Sequence, residues 1–191
     1  MKGARLTPPA RMTDAQRRVH DAIASGPRGA VVGPLGVWLN SPGLAERAQA
    51  LGQFARYDSA LPLVQSELAI LVTARIWSSG FEWSHHAPIA LEAGLPEAAV
   101  AAIGRAERAG FDDPALAAIF GFVVELQRDR TVTDATYRAA EAALGQVALV
   151  DLVGICGYYG LISMTINAFA VPQGEGPALP DLDVPAEQMF R

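Results

Sequence analysis

"SELAILVTARIWSSGFEWSHHAPIALEAGLP", residues 66–96, is the stretch whose reading decides the fold. Its first half crowds Leu68, Ile70, Leu71, Val72, Ile76 and Trp77 together. That is too dense for one apolar stripe and suits a helix buried on most sides. The pattern predicts such a helix over residues 62–78. Glu67, Thr73 and Arg75 fall inside it, and each needs a polar partner if it leaves water. Ser78, Ser79 and Gly80 interrupt the run. A second helix is expected from Phe81 to about Ala93, with Gly94 as its C-terminal stop.

The same signals extend outward. Pro96 opens a further short helix in "LPEAAVAAI", and "GFDDP" breaks the chain before helices expected at about 114–130, 133–144 and 146–169, with Thr133 as an N-cap. Upstream, Thr13 or Asp14 caps a short helix that Gly26 and Pro27 end. "GAVVGPLGVWLNSPG" reads as an ordered loop whose Val, Leu and Trp side chains pack on the body. Ser41 and Pro42 then serve as N-cap and first residue of a helix reaching about Tyr57. No strand alternation and no solenoid repeat is present, so the class is all-α. The expected organisation is an arm with a short helix (1–33), a helical domain (34–170) and a Pro- and acid-rich tail (171–191). The tail is expected to stay mobile or to lie across a neighbouring subunit.

Composition limits function. At 191 residues the chain suits one domain, and 51 % hydrophobic against 18 % charged residues calls for extensive burial, including burial between subunits. A net charge of −5 without a Lys/Arg cluster lacks the electrostatic footprint of nucleic-acid binding. Cys156 is the only cysteine, which excludes an intrachain disulfide, a two-cysteine redox centre and a cysteine zinc cage. The N-terminus carries no continuous apolar run of the signal-peptide kind. Residues 152–174 hold no charge, yet Gly, Ser, Thr and Asn stud them and basic flanks are missing, so a buried helix is expected rather than a membrane span. We therefore expect a cytoplasmic protein without membrane contact.

Glu82, Trp83, Ser84, His85 and His86 form the one dense polar cluster in this apolar frame. Residues three and four apart share a helix face, so Glu82 can meet either His85 or His86, which point about 100° apart. A carboxylate beside an imidazole raises its pKa and fixes which ring nitrogen carries the proton. Both effects suit a group that gives or takes a proton. The plainer reading is a first-turn glutamate that favours the helix dipole and pairs with a surface histidine. The position between two strongly apolar helices weighs against it. Glu82-x-x-His85 also matches one element of di-iron bundles, but the chain has no second copy. A mononuclear site using Glu67, Glu82 and a histidine stays open, although we expect no metal and no cofactor.

Glu67, Ser79, Glu82 and His86 are spaced Glu-x11-Ser-x2-Glu-x3-His. This frame resembles the core motif of the carboxymuconolactone decarboxylase and alkylhydroperoxidase D-like family, whose peroxidase branch carries Glu-x11-Cys-x2-Cys-x3-His. Phe81-Glu82-Trp83 before the histidine and the "ALEAGL" helix end resemble the decarboxylase branch. A weaker likeness covers about residues 34–170, including "PLGVWLNSPGLAERAQALGQFARY" and "GYYGLISMTINAF". The resemblance implies an alkylhydroperoxidase D-like helical bundle, assembled as a homo-trimer or homo-hexamer.

Ser79 and Glu82 occupy both cysteine positions of the peroxidase motif, so dithiol peroxide reduction is not expected. The implied chemistry is acid–base: a cofactor-independent decarboxylase or isomerase for a small carboxylated lactone or related enolisable acid, of the kind met in aromatic catabolism. His86 is then the proton donor, Glu82 orients and charges it, and Glu67 is a second carboxylate in range. Arg75 is expected to pair with Glu67 or with a substrate carboxylate. Ser79, Trp83, His85 and Tyr158 complete the expected substrate-binding set, with His85 placed at the surface. The alternatives are a peroxidase-like or metal-dependent activity on the same scaffold, or a non-catalytic oligomeric binding protein.

Overall fold

Thr13 starts the first helix with a reciprocal cap. Its hydroxyl accepts from the Gln16 amide at 3.3 Å, and its own amide donates to Gln16 Oε1 at 2.9 Å. This settles the choice between Thr13 and Asp14, because the pairing satisfies two amides that a bare helix end leaves open. The computed structural model describes residues 3–191, and among them the regular structure is entirely helical. Helix α1 spans Asp14–Ser25, α2 Pro34–Trp38, α3 Pro42–Gln53, α4 Leu63–Ile76, α5 Gly80–Glu92, α6 Glu97–Gly104, α7 Pro114–Val124 and α8 Asp134–Phe169.

Helix α4 is the central rod. It packs against α5, α7 and α8, and every residue from Ser66 to Ile76 is buried. Leu68, Leu71 and Val72 are fully shielded. Burying each such side chain contributes about 1.5–3 kcal/mol, which holds the polar residues between them in place. Thr73 meets its need locally by donating to the Ala69 carbonyl at 2.8 Å.

Three features depart from the expectations. The Gly/Pro-rich segment before α3 is not all loop, since residues 34–38 close one helical turn that buries Leu35, Val37 and Trp38. Gly33 precedes it at φ 53°, and the Phe81 ring stands where a Cβ would be, so only glycine fits. Both α3 and α7 end in a π-helical turn, Phe54–Asp58 and Glu125–Asp129. The two helices expected after Thr133 meet where expected, because Gly145 (φ 75°, ψ 168°) leaves the helical conformation and divides Asp134–Phe169 in two.

The third departure is the tail. Residues 171–191 fold back over their own chain instead of staying loose or reaching a neighbour. Pro180 offers its carbonyl to Arg75 at 2.7 Å, and the Phe190 amide donates to the Ala106 carbonyl at 2.8 Å. Met189 and Phe190 are buried, and Phe190 meets Phe120 edge-on at 5.5 Å. The physical cause is apolar: the last residues insert an aromatic anchor that the tail's Pro and acid content conceals. At the opposite terminus, Arg5 donates to the carbonyls of Phe169 and Ala168, which closes the C-terminal end of α8.

Candidate active site

His86 projects from the second turn of α5 into the junction with α4 and α8. Glu67 Oε2 lies 2.8 Å from its Nδ1, and Glu82 Oε2 lies 3.3 Å from its Nε2. All three residues are buried, at 2 %, 1 % and 4 % exposure for His86, Glu67 and Glu82. The four-residue spacing along α5 thus selects His86, and not His85, as the partner of Glu82. Glu67 completes the arrangement from α4. Burial disfavours the imidazolium, but hydrogen bonds and charge attraction from the two carboxylates outweigh it and raise His86 to about 9. Near neutral pH the ring therefore holds both protons, one toward each carboxylate.

The Tyr159 ring meets the imidazole edge-on at 5.1 Å and fixes its plane from α8. Its phenol is held well above its ordinary value by burial and by the charge of Glu82, so it stays a neutral hydroxyl. A cavity of about 40 Å³ opens against this group. Glu82, His86 and Tyr159 line it, whereas Glu67 stands behind the imidazole. That volume takes one or two waters or a group of similar size.

His85 is exposed at the cavity wall, its ring 4.9 Å from His86. Burial first, then the charges of His86 and Arg56, lower its pKa, so it is the neutral member of the pair. Tyr158 also lines the cavity and accepts a hydrogen bond from Arg28 Nη2 at 3.2 Å. Its hydroxyl is pushed up to about 12 by burial.

Three of the expected substrate-binding residues are elsewhere. Arg75 does not pair with Glu67 and does not face this cavity. It donates to the carbonyls of Gly104 and Pro180 and to Ser78 Oγ, so it clamps the C-terminal tail onto α6. Lying eight residues beyond Glu67, it is turned about 80° round the helix, enough to face a different neighbour. Trp83 is buried against Gly104 and the tail around residues 177–180. It belongs to the Trp83–Ala87–Leu91 stripe, about 100° round the helix from the stripe that carries Glu82 and His86. Ser79 is fully buried with its hydroxyl unpartnered among the described residues, and it does not line the cavity. Its backbone carbonyl accepts from the Trp83 amide and starts α5.

Arg28 and Arg56 line the cavity, and sequence reasoning missed both. Arg28 comes from the loop after α1 and Arg56 from the π-helical turn after α3. Neither sits at a fixed spacing from Glu82 or His86. The available signal was compositional: in a chain with few charges, an arginine between Pro27 and Gly29 at the edge of an apolar run needs a reason. Among the described residues, no set of three His, Cys, Asp or Glu side chains converges as metal ligands. Both ring nitrogens of His86 already face carboxylates.

Comparison with known proteins bears on this geometry. The model of the family described as "Carboxymuconolactone decarboxylase family" matches residues 42–125, the segment that holds Glu67, Ser79, Glu82 and His86. The match is a likeness over that segment. The family segment covers α3 to α7, whereas Arg28, Tyr158 and Tyr159 come from outside it. Among curated proteins the chain finds no match.

Two crystal structures share the whole fold. One is an uncharacterized peroxidase-related protein from Silicibacter sp. TM1040, with TM-score 0.72, 12 % identity and coverage of 92 % of this chain and 94 % of that one. The other is an alkylhydroperoxidase AhpD core, an uncharacterized peroxidase-related protein from Ralstonia eutropha JMP134, with TM-score 0.73, 15 % identity and the same coverage of 92 % and 94 %. The fold is thus the alkylhydroperoxidase D-like one, all-helical as the sequence implied.

Proposed function

We propose that this chain is a cofactor-independent carboxy-lyase or isomerase for a small enolisable acid, with the Glu67–His86–Glu82 group as its proton store. The observation that carries the reading is an imidazole clamped between two buried carboxylates on the wall of a small cavity. In the lyase step, the bond between the carboxylate carbon and the ring or chain carbon breaks. CO2 leaves and the bond pair enters the conjugated carbonyl as an enolate. A proton from His86 Nε2 then closes the new C–H bond, passing directly or across Glu82, which shares the cavity wall. Solvent returns that proton.

The division of labour between the carboxylates follows from depth. Glu67, behind the ring, fixes its orientation through Nδ1. Glu82 is the carboxylate in reach of a bound molecule. Neutral Tyr159 and Tyr158 offer hydroxyls at the same wall for an oxygen that gains charge. His85, neutral and exposed, is a contact residue of the cavity mouth.

The peroxidase-related names of the two structural relatives favour a second reading, peroxide reduction. This chain carries Ser79 and Glu82 in the cysteine frame. Its one thiol, Cys156, is buried and pushed up to about 12 by that burial, so thiolate is scarce near neutral pH. Those facts favour acid–base chemistry. We also propose a homo-oligomer, supported by an uncovered apolar row on α8, where Val147, Val150 and Val153 are 71 %, 70 % and 45 % exposed.

The test is CO2 release from 4-carboxymuconolactone, with His86→Ala beside the native chain. Turnover lost in the variant is expected. Turnover that survives it removes His86 from the reaction, and no turnover in either removes this substrate.

A further inference from the structure

Arg28 is an unusual cation for this chain. Its guanidinium lines the cavity, yet it forms no ion pair with any described carboxylate. Its Nε is buried and has no hydrogen-bond partner among the described residues. An orphaned buried donor of a charged group costs about 1–3 kcal/mol or more, which a ligand can return by accepting from it. The other end is held in place, because Nη2 donates to Tyr158 Oη at 3.2 Å. Gly52 of α3 makes room for this pair: a Cβ there would run into both Tyr158 Oη and Arg28 Nη2. Arg56 lines the same cavity, likewise without an ion pair among the described residues, its guanidinium 5.4 Å from the Tyr57 ring.

Charge points the same way. In the buried group His86 already faces both carboxylates, one at each ring nitrogen. The two guanidinium groups at the cavity have no carboxylate of their own among the described residues. A neutral ligand leaves them unanswered, and a carboxylate answers them.

We infer that Arg28, seated by Tyr158 and Gly52 and assisted by Arg56, is the subsite for a carboxylate that the substrate keeps through the reaction. This deepens the acid–base reading of the site and rests on it. The kept group is the one to expect at an arginine. If Arg28 held the carboxylate that departs, its hydrogen bonds would stabilise the reactant and vanish as CO2 forms, which raises the barrier. Bonds to a retained carboxylate persist into the transition state and position the reacting carbon. The substrate class is therefore an acid with an anionic group besides the one that reacts. Arg28 is its specificity-determining residue.

The probes are crotonate and its neutral isostere crotonamide, titrated calorimetrically into the full-length protein. The native chain is expected to favour crotonate by at least about tenfold, the weight of one charge-assisted hydrogen bond. Arg28→Gln is expected to abolish the preference and Arg28→Lys to keep part of it, with unchanged thermal melting as the control for folding. His86→Gln is expected to retain it. Equal binding of the two probes by the native chain, or a preference that survives in Arg28→Gln, overturns the inference. Turnover of 4-carboxymuconolactone is read separately. If it is present, Arg28→Gln lowers kcat/KM about tenfold or more while the pH at which the rate falls stays put. If it is absent while the Arg28-dependent preference stands, the decarboxylase assignment fails and the carboxylate subsite remains.

Discussion

One imidazole between two carboxylates is a group with a defined pH signature. His86 titrates at about 9 in the folded chain, above the ordinary 6.5. Its contribution to stability is therefore complete below about pH 6.5 and is lost as pH rises through 9. That contribution is at most about 3 kcal/mol, because each tenfold gain in proton affinity is worth about 1.4 kcal/mol. Urea unfolding at pH 6.5 and 9.5 should show this loss in the native chain and not in His86→Gln. Activity that needs the imidazolium should fall along the same limb. Glu67→Gln removes the closer carboxylate, so the limb should move to a pH lower by about 1–3. A pH–rate profile that does not move would show that Glu67 does not hold the proton.

At the scale of the element, two glycines carry the geometry that places the site. Gly33 sits at φ 53° under the Phe81 ring and lets α2 meet the start of α5. Gly145 adopts φ 75°, ψ 168° and changes the direction of α8 before its apolar half. A side chain resists that backbone, so Gly145→Ala should destabilise the fold by about 1–3 kcal/mol, read as a lower urea midpoint at unchanged slope. The Gly33→Ala variant should in addition weaken turnover, because its strain falls beside Phe81, Arg28 and the cavity. If Gly33→Ala melts and turns over like the native chain, the α2–α5 junction does not position the site.

The whole molecule is closed by its ends. Arg5 covers the last carbonyls of α8, and the tail returns to bury Phe190 against Phe120. Replacing Phe190 by Ala should cost about 3–5 kcal/mol, as for other buried aromatics, although the residue is next to last in the chain. A melting temperature unchanged by that variant would mean the tail does not hold in solution. Helix α8 is apolar enough to span a membrane by composition, and its most apolar 18-residue window is 56 % buried here. The uncovered row at Val147, Val150 and Val153 is where the proposed subunit contact belongs. A Val150→Asp variant should shift the sedimentation coefficient toward that of a monomer. An unchanged coefficient would move the contact elsewhere.

Periodicity and capping were enough to read the helices, because both are local. Thr13, Thr133 and Gly94 mark element ends through bonds to residues within four positions, and Pro42 does so through its fixed φ. The Glu67–His86–Glu82 group was legible for a related reason. Glu82 and His86 share a helix face by spacing, and a motif resembling a known family ties Glu67 to them. What only the tertiary structure decided are contacts across long sequence separations. Arg28 meets Tyr158 across 130 residues, and Arg75 turns to Pro180 across 105, away from Glu67. No spacing rule reaches that far, since such pairs depend on how α1, α3, α8 and the tail close over α4. Sequence alone thus determined an all-helical chain with a Glu–His pair on its central hairpin. Packing alone decided which charges face that pair, because burial selects among partners that local chemistry leaves equal.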